Sequence, residues 1–166
     1  MKDHFERLAR YNRWANQQMY GVVSKLSAED FLAPRSGFFP SIAKTLNHLV
    51  VTDRIWLGRL IGDPSTHQRL DEMPYQRFDD LAAAREVEDR RIVDFVAALT
   101  PARIEATFHY KNMAGQPQAW PMAAVLTHIF NHQAHHRGQA HAMLASTPVP
   151  PPPMDLVYFY TVDKAQ

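Results

Sequence analysis

Three of the nine histidines fall within five residues, in the run Asn131-His132-Gln133-Ala134-His135-His136-Arg137-Gly138-Gln139. On a helix, His132 and His136 stand one turn apart, so both imidazoles can reach the same metal ion. Such a pair supplies two neutral nitrogen donors on a rigid scaffold. One further residue from elsewhere in the chain would complete a three-ligand set and leave coordination positions open, the arrangement of a reactive metal site rather than a purely structural one.

A helical wheel at about 100° per residue separates the histidines of this segment. With His128 at zero, the apolar residues Met122, Val125, Leu126, Ile129, Ala140, Met143 and Leu144 span an arc from about 60° to 160°. His136 falls inside it at about 80°, His132 at its edge near 40°, and His135 outside it near −20°. His132 with His136 is therefore the inward pair, and His128 with His132, also four residues apart, is the competing one. A single histidine on an apolar face is more often a hydrogen-bonded core or edge residue than a ligand, which is the reading for His128 and His135. Two inward imidazoles on successive turns need partners inside an apolar bundle, and a metal supplies them. Affinity for it is expected to fall as pH drops through the histidine range, since ligand nitrogens must be deprotonated. His4, His67, His109 and His141 have no comparable setting and read as surface or loop residues.

The third ligand is open on periodicity. His48, in Thr45-Leu46-Asn47-His48-Leu49, is the one histidine in a predicted helix apart from those of the last helix and the terminal His4. It lies on a flank with Thr45, Thr52 and Ile55, beside the main apolar stripe. Asp53 lies on the stripe itself, either as a ligand or as an acceptor for an imidazole N–H.

Four segments with helical periodicity must position these residues. Phe5, Leu8, Asn12, Met19, Val22, Val23 and Leu26 share one stripe of the first, and Ser27-Ala28-Glu29-Asp30 then fits a capping pattern that starts a short further turn. After the loop Ala33–Pro40, Ser41 is the expected N-cap of the second helix, whose stripe runs from Ile42 to Leu60 until Gly62-Asp63-Pro64 stops it. The third runs from Phe78 to Leu99 and is closed by Thr100-Pro101. Ile104 to Tyr110 alternates as a strand does, Asn112-Met113-Ala114-Gly115 offers a turn toward Gln118-Ala119-Trp120, and a small β-hairpin is expected. Pro121 is expected to open the fourth helix, which runs to Ala145. The five prolines of 148–153 mark an extended connector, and the 154–166 tail is expected to pack back through Leu156, Val157, Tyr158 and Phe159. This reading makes residues 1–166 one all-α domain, a four-helix bundle with a hairpin before its last helix.

Composition narrows the chemistry. Lys and Arg total 18 against 17 Asp and Glu, a formal charge of +1, so no footprint for a phosphate backbone exists and nucleic acid is disfavoured. There are no cysteines, so a metal must sit on nitrogen and oxygen donors. Nitrogen ligation suits zinc or nickel first, then iron or copper. The charged N-terminus has no signal-peptide core and no stretch approaches the roughly 20 apolar residues of a membrane span, so a cytoplasmic protein without a membrane partner is expected.

Tyr11-Asn12-Arg13-Trp14-Ala15-Asn16 in the first helix, Leu46-Asn47-His48-Leu49 in the second, and His128-Ile129-Phe130-Asn131-His132 with His135-His136-Arg137-Gly138-Gln139 in the fourth closely resemble, in order and spacing, the DinB/YfiT-like family. These are the damage-inducible DinB proteins, not the polymerases that share the name. The resemblance spans nearly the whole chain. It implies a four-helix bundle with a non-standard connection order and one divalent metal held by His48, His132 and His136, which settles the third ligand. It also favours a homodimer, which would cover Tyr11, Trp14 and Tyr20, unless Tyr158, Phe159 and Tyr160 fold back over the first-helix aromatics. Relatives include thiol-dependent S-transferases and maleylpyruvate isomerases. The expected function is therefore metal-dependent chemistry on a small molecule, with a low-molecular-weight thiol as candidate partner and thiol transfer or hydrolysis as the reaction. His135 is the candidate acid or base, and Tyr11 and Asn12 the candidates for substrate contact. The bland alternatives are that Tyr11 and Trp14 are aromatic wall and that Arg137 and Gln139 tie helices together. The rival function is a non-catalytic bundle, stabilised by or sensing a metal in a stress response.

Overall fold

The computed structural model describes residues 1–63 and 65–163. Among them the long helices are α1 (Lys2–Val23), α3 (Ile42–Ile61), α4 (Phe78–Ala98) and α6 (Met122–Leu144), with short helices α2 (Ala28–Leu32), α5 (Pro101–Glu105) and α7 (Leu156–Tyr160). Strands β1 (Thr107–Lys111) and β2 (Pro117–Pro121) form the hairpin ahead of α6. The chain is all-α apart from that hairpin, as the periodicity predicts.

Local signals explain most boundaries. Ser27 and Ser41 accept hydrogen bonds from the backbone N–H groups of Asp30 and Lys44, each cap stabilising its helix by roughly 1 kcal/mol. Gly62 ends α3 in the left-handed conformation (φ 77°) that only glycine adopts without strain. Pro64, part of the expected stop signal, and 164–166 of the expected tail lie outside the described residues. Ile104 and Glu105, expected in the first strand, belong instead to α5. Thr100 accepts from Arg103 N and Pro101 takes the first helical position, so the pair read as the end of one helix also begins another. Pro121 closes β2 and stands just before α6, opposite Thr107 in the antiparallel register. The hairpin turn is held by Asn112 Oδ1, which accepts from Ala114 N and Gln116 N, and by Gly115 at φ 76°.

Two apolar clusters reveal the direction of each helix. One gathers Phe5 of α1, Leu57 and Leu60 of α3, Ile92 and Val96 of α4, and Met122 and Leu126 of α6. The other gathers Met19 and Val23, Ile42 and Leu46, Leu81 and Ala84, and Ala140 and Leu144 from the same helices. The N-terminal ends of α1 and α6 thus share an end with the C-terminal ends of α3 and α4. α1 packs on α4 and α6, and α3 packs on the same two helices, so α1 lies diagonally opposite α3. This is the non-standard order: α3 and α4 are neighbours that run the same way. Their connection must return the length of the bundle, about 30 Å for a helix of 20 residues.

A polar layer separates the clusters. Asp53 of α3 pairs with Arg85 of α4 at 2.6 Å and accepts from Gln133 Nε2 of α6 at 2.6 Å. Arg137 donates to Asn12 Oδ1 and Asn16 Oδ1 of α1, and Asn16 Nδ2 donates to Asp89 of α4. All of these side chains are buried. Burial pushes the Asp89 carboxyl up to about 6, against the pull of Arg85.

Of the residues expected to pack the tail back, it folds back through Phe159 alone; Leu156, Val157 and Tyr158 are exposed, because a single turn of helix buries only one of these side chains against α1. Buried Phe159 packs on Tyr11 and Trp14, with ring centroids 5.9 and 5.8 Å away, so these α1 aromatics are covered by their own chain. Among the described residues, no helix is long and apolar enough to cross a membrane.

Candidate metal centre

His48 on α3 and His132 and His136 on α6 converge, with one ligand nitrogen from each lying within 4.8 Å of the others. Antiparallel packing of α3 on α6 brings the first half of α3 against the middle and second half of α6. The Nε2 atoms of His48 and His132 are 3.2 Å apart. Two nitrogens bound at about 2.0–2.1 Å in a tetrahedral arrangement would lie roughly 3.3 Å apart, so the spacing suits ligands of one ion.

Hydrogen bonds orient two of the three rings. His48 Nδ1 lies 2.7 Å from the Leu70 carbonyl, which can only accept, so Nδ1 carries the proton and the Nε2 lone pair faces the site. His136 Nδ1 donates to Gln139 Oε1 at 2.8 Å, leaving its Nε2 free in the same way. Gln139 Nε2 in turn donates to His135 Nε2 at 3.1 Å. The Leu70 carbonyl belongs to the return connection between α3 and α4. That segment is fastened to the bundle by Asn47, whose Nδ2 donates to Tyr75 O and whose Oδ1 accepts from Tyr75 N. Glu72 braces it internally, accepting from His67 Nδ1, Gln68 N and Arg69 N.

The rings are poised as ligands electrostatically as well. Burial pushes His132 down to about 3, with the neighbouring imidazoles adding to the effect, and pushes His136 down to about 4 against its bond to Gln139. Burial also lowers His48, opposed by the bond to Leu70. At neutral pH all three are uncharged donors.

The nitrogens line a cleft of 660 Å³. Its walls come from Phe38 and Phe39 of the loop before α3, from Gln68 to Asp71 of the return connection, from Met113 at the hairpin turn, and from His135. Phe39 is buried with its ring 4.4 Å from that of His48, while Phe38 is 76% exposed at the mouth. His135 is exposed at the rim, its ring 4.9 Å from that of His136.

The other sequence candidates lie elsewhere. Tyr11 donates its hydroxyl to Met154 O at 2.8 Å and carries the Arg137 guanidinium over its ring, and Asn12 is inside the polar layer; neither lines the cleft. Asp53 is held by Arg85 and Gln133 and is not one of the grouped donors. His128 stacks edge-on against Trp56 at 5.2 Å in a separate cleft. Sequence reasoning missed Phe39 and Leu70, and it took Gln139 for a helix tie. Gln139 stands three residues after His136, a spacing that could have suggested it. A backbone acceptor such as Leu70 leaves no trace in residue type.

The chain is 24% identical to the Protein DinB of Bacillus subtilis (strain 168), in an alignment of 177 residues that covers 100% of this chain and 99% of that protein. The model of the DinB family matches residues 1–164, and with its bundle order and its three-histidine cluster in place, the chain belongs to the DinB family.

Proposed function

We propose that this protein is a metal-dependent enzyme of the cytoplasm that acts on a small molecule, with thiol transfer as the first reaction class and hydrolysis as the second. The observation that carries the reading is the convergence of three neutral imidazoles, two of them oriented by hydrogen bonds, on an open cleft. His48, His132 and His136 would hold a divalent ion, zinc or nickel before iron or copper. Bound there, an ion keeps its full charge and favours the deprotonated form of a water or a low-molecular-weight thiol.

The chain's own residues supply the rest. Leu70 and Gln139 fix ring orientation, so the donors need little rearrangement to bind. Phe39 and the return connection exclude bulk water from one side of the ligands, which strengthens electrostatic interactions at the floor. His135 stands at the rim, where its imidazole, once Nε2 turns from the Gln139 amide, can take a proton from an incoming water or thiol and pass it to solvent. Tyr11 and Asn12 act from behind the site by holding Arg137, the residue next to His136.

The deciding experiment is ligand exchange on a cobalt-substituted protein. Added low-molecular-weight thiol is expected to change the visible spectrum, and His135→Ala is expected to lower turnover while leaving metal stoichiometry unchanged. A spectrum indifferent to thiols and carboxylates would mean a closed site and would favour the metal-stabilised bundle instead.

A further inference from the structure

A second cavity, of 460 Å³, adjoins the metal cleft and shares Gln68 and Met113 with it as walls. It lies between the C-terminal half of α3, the start of the return connection and β1, and among the described residues its lining includes Arg59, His67, His109 and Lys111 but no Asp or Glu. Glu72 reaches its edge through His67, yet its oxygens already accept from His67 Nδ1, Gln68 N and Arg69 N. Arg59 is held by stacking rather than by an acid: its guanidinium lies over the rings of Trp56 and Tyr110, 4.9 and 5.2 Å from their centroids. Burial lowers its pKa, with Tyr110 as the opposing neighbour. A stacked guanidinium keeps its N–H edges free, and those edges match a carboxylate or phosphate in a fork.

The geometry points to this basic pocket as an oxyanion subsite, so that the substrate is a small molecule carrying a carboxylate or phosphate at one end and the group that engages the metal at the other. The proposal rests on the metal-dependent reading above for the second contact only. Arg59 would grip the anion in a fork, Lys111 would add a point charge from the hairpin, and Gln68 and Met113 would line the passage between the two contacts. The subsite selects by charge and by length, since a chain too short cannot reach from the imidazoles to Arg59.

A chemical ruler tests it. ω-Mercaptoalkanoic acids of increasing length, the equal-length mercaptoalkyl phosphates and the equal-length mercaptoalkanols are titrated into cobalt-substituted protein. At one length, an anion is expected to bind about tenfold tighter than the alcohol, in keeping with a hydrogen-bonded charge pair. That advantage should vanish in Arg59→Gln and shrink in Lys111→Gln, with alcohol binding unchanged in both; whichever anion shows it identifies the oxyanion. Lys111 is exposed on a strand, so its substitution leaves the fold intact. No anion preference at any length, or a preference that survives both substitutions, overturns the subsite. Should no thiol perturb the cobalt spectrum, the metal reading fails, and plain alkanoates and alkyl phosphates added to metal-free protein decide the subsite alone. Their effect on tryptophan fluorescence, through Trp56 beneath Arg59, is expected in the native chain and to need higher anion concentrations in Lys111→Gln; no effect in the native chain, or the same dose dependence in Lys111→Gln, overturns the proposal.

Discussion

Replacing Gln139 with leucine removes the acceptor of His136 Nδ1, a 2.8 Å bond on a ring that is 7% exposed. Leucine is close to glutamine in volume and also favours a helix, so the change falls on the hydrogen bond rather than on α6. The lost bond acts twice: it fixes which ring nitrogen is protonated, and it holds the plane that aims Nε2 at His48 and His132. Loss of such a partner typically weakens metal binding by about 10- to 100-fold. Because the ring is buried, water is a poor substitute for the amide oxygen, and the upper half of that range is expected, about 2–2.7 kcal/mol. Gln139→Glu should do the reverse, since a carboxylate accepts more strongly and raises the basicity of Nε2. Competition against a chromogenic zinc chelator at neutral pH measures both variants, with stoichiometry staying at one ion per chain. Gln139 also donates to His135, so His135→Ala is the control and should shift affinity little. A leucine variant that binds zinc within about twofold of the native chain would refute the orienting role.

Further outcomes are expected. His132→Ala and His136→Ala abolish tight metal binding and His48→Ala weakens it severely; full occupancy in His48→Ala by metal analysis would sink the three-histidine set. Because burial lowers all three ligand imidazoles, His132 to about 3 and His136 to about 4, the fall in metal affinity on acidification should come at lower pH than the ordinary histidine range that the sequence alone suggests. The sign for the metal-free protein follows: below the ordinary 6.5 the unfolded chain binds more protons at these histidines, so stability declines from there toward the folded-state values, as acid titration of unfolding would register. Arg85→Met leaves Asp53 buried without its cation and should cost roughly 3–5 kcal/mol in denaturant unfolding; a loss below about 1 kcal/mol would show that the pair is dispensable. A homodimer, favoured by the family resemblance, would have to bury other apolar surface than Tyr11 and Trp14, such as Val157 and Tyr158, 64% and 49% exposed. Sedimentation should then give twice 19.0 kDa, reduced by Val157→Asp, and a mass near 19.0 kDa at every concentration would reject it.

The helical wheel alone separated His136, which is buried, and His132, which is half-buried, from exposed His135, because one face of α6 must meet the core. It supported His48 only weakly against the runner-up Asp53, since His48 lies on a flank and Asp53 on the apolar stripe of α3, and periodicity does not distinguish a metal-facing side chain from one facing a guanidinium. Helix ends were readable where a cap or a glycine marks them, as at Ser41 and Gly62. Thr100-Pro101 misled because one dipeptide can both stop a helix and start the next. The walls of the cleft were least visible, for they are loops whose backbone atoms and distant partners decide the geometry, as with Leu70 and Tyr75.

The return connection that the parallel pair α3 and α4 requires supplies the carbonyl that anchors His48. Ordering this segment and charging the site with metal are therefore thermodynamically linked, and the linkage is reciprocal. An ion that binds better when His48 is anchored must slow local opening of residues 67–75, and a substrate that packs against Gln68 or Arg69 must tighten the ion. Amide hydrogen exchange in that stretch would then respond to metal before the bundle itself does. Divergence of sequence in this one segment can retune both selectivity and metal retention while the four long helices stay as they are.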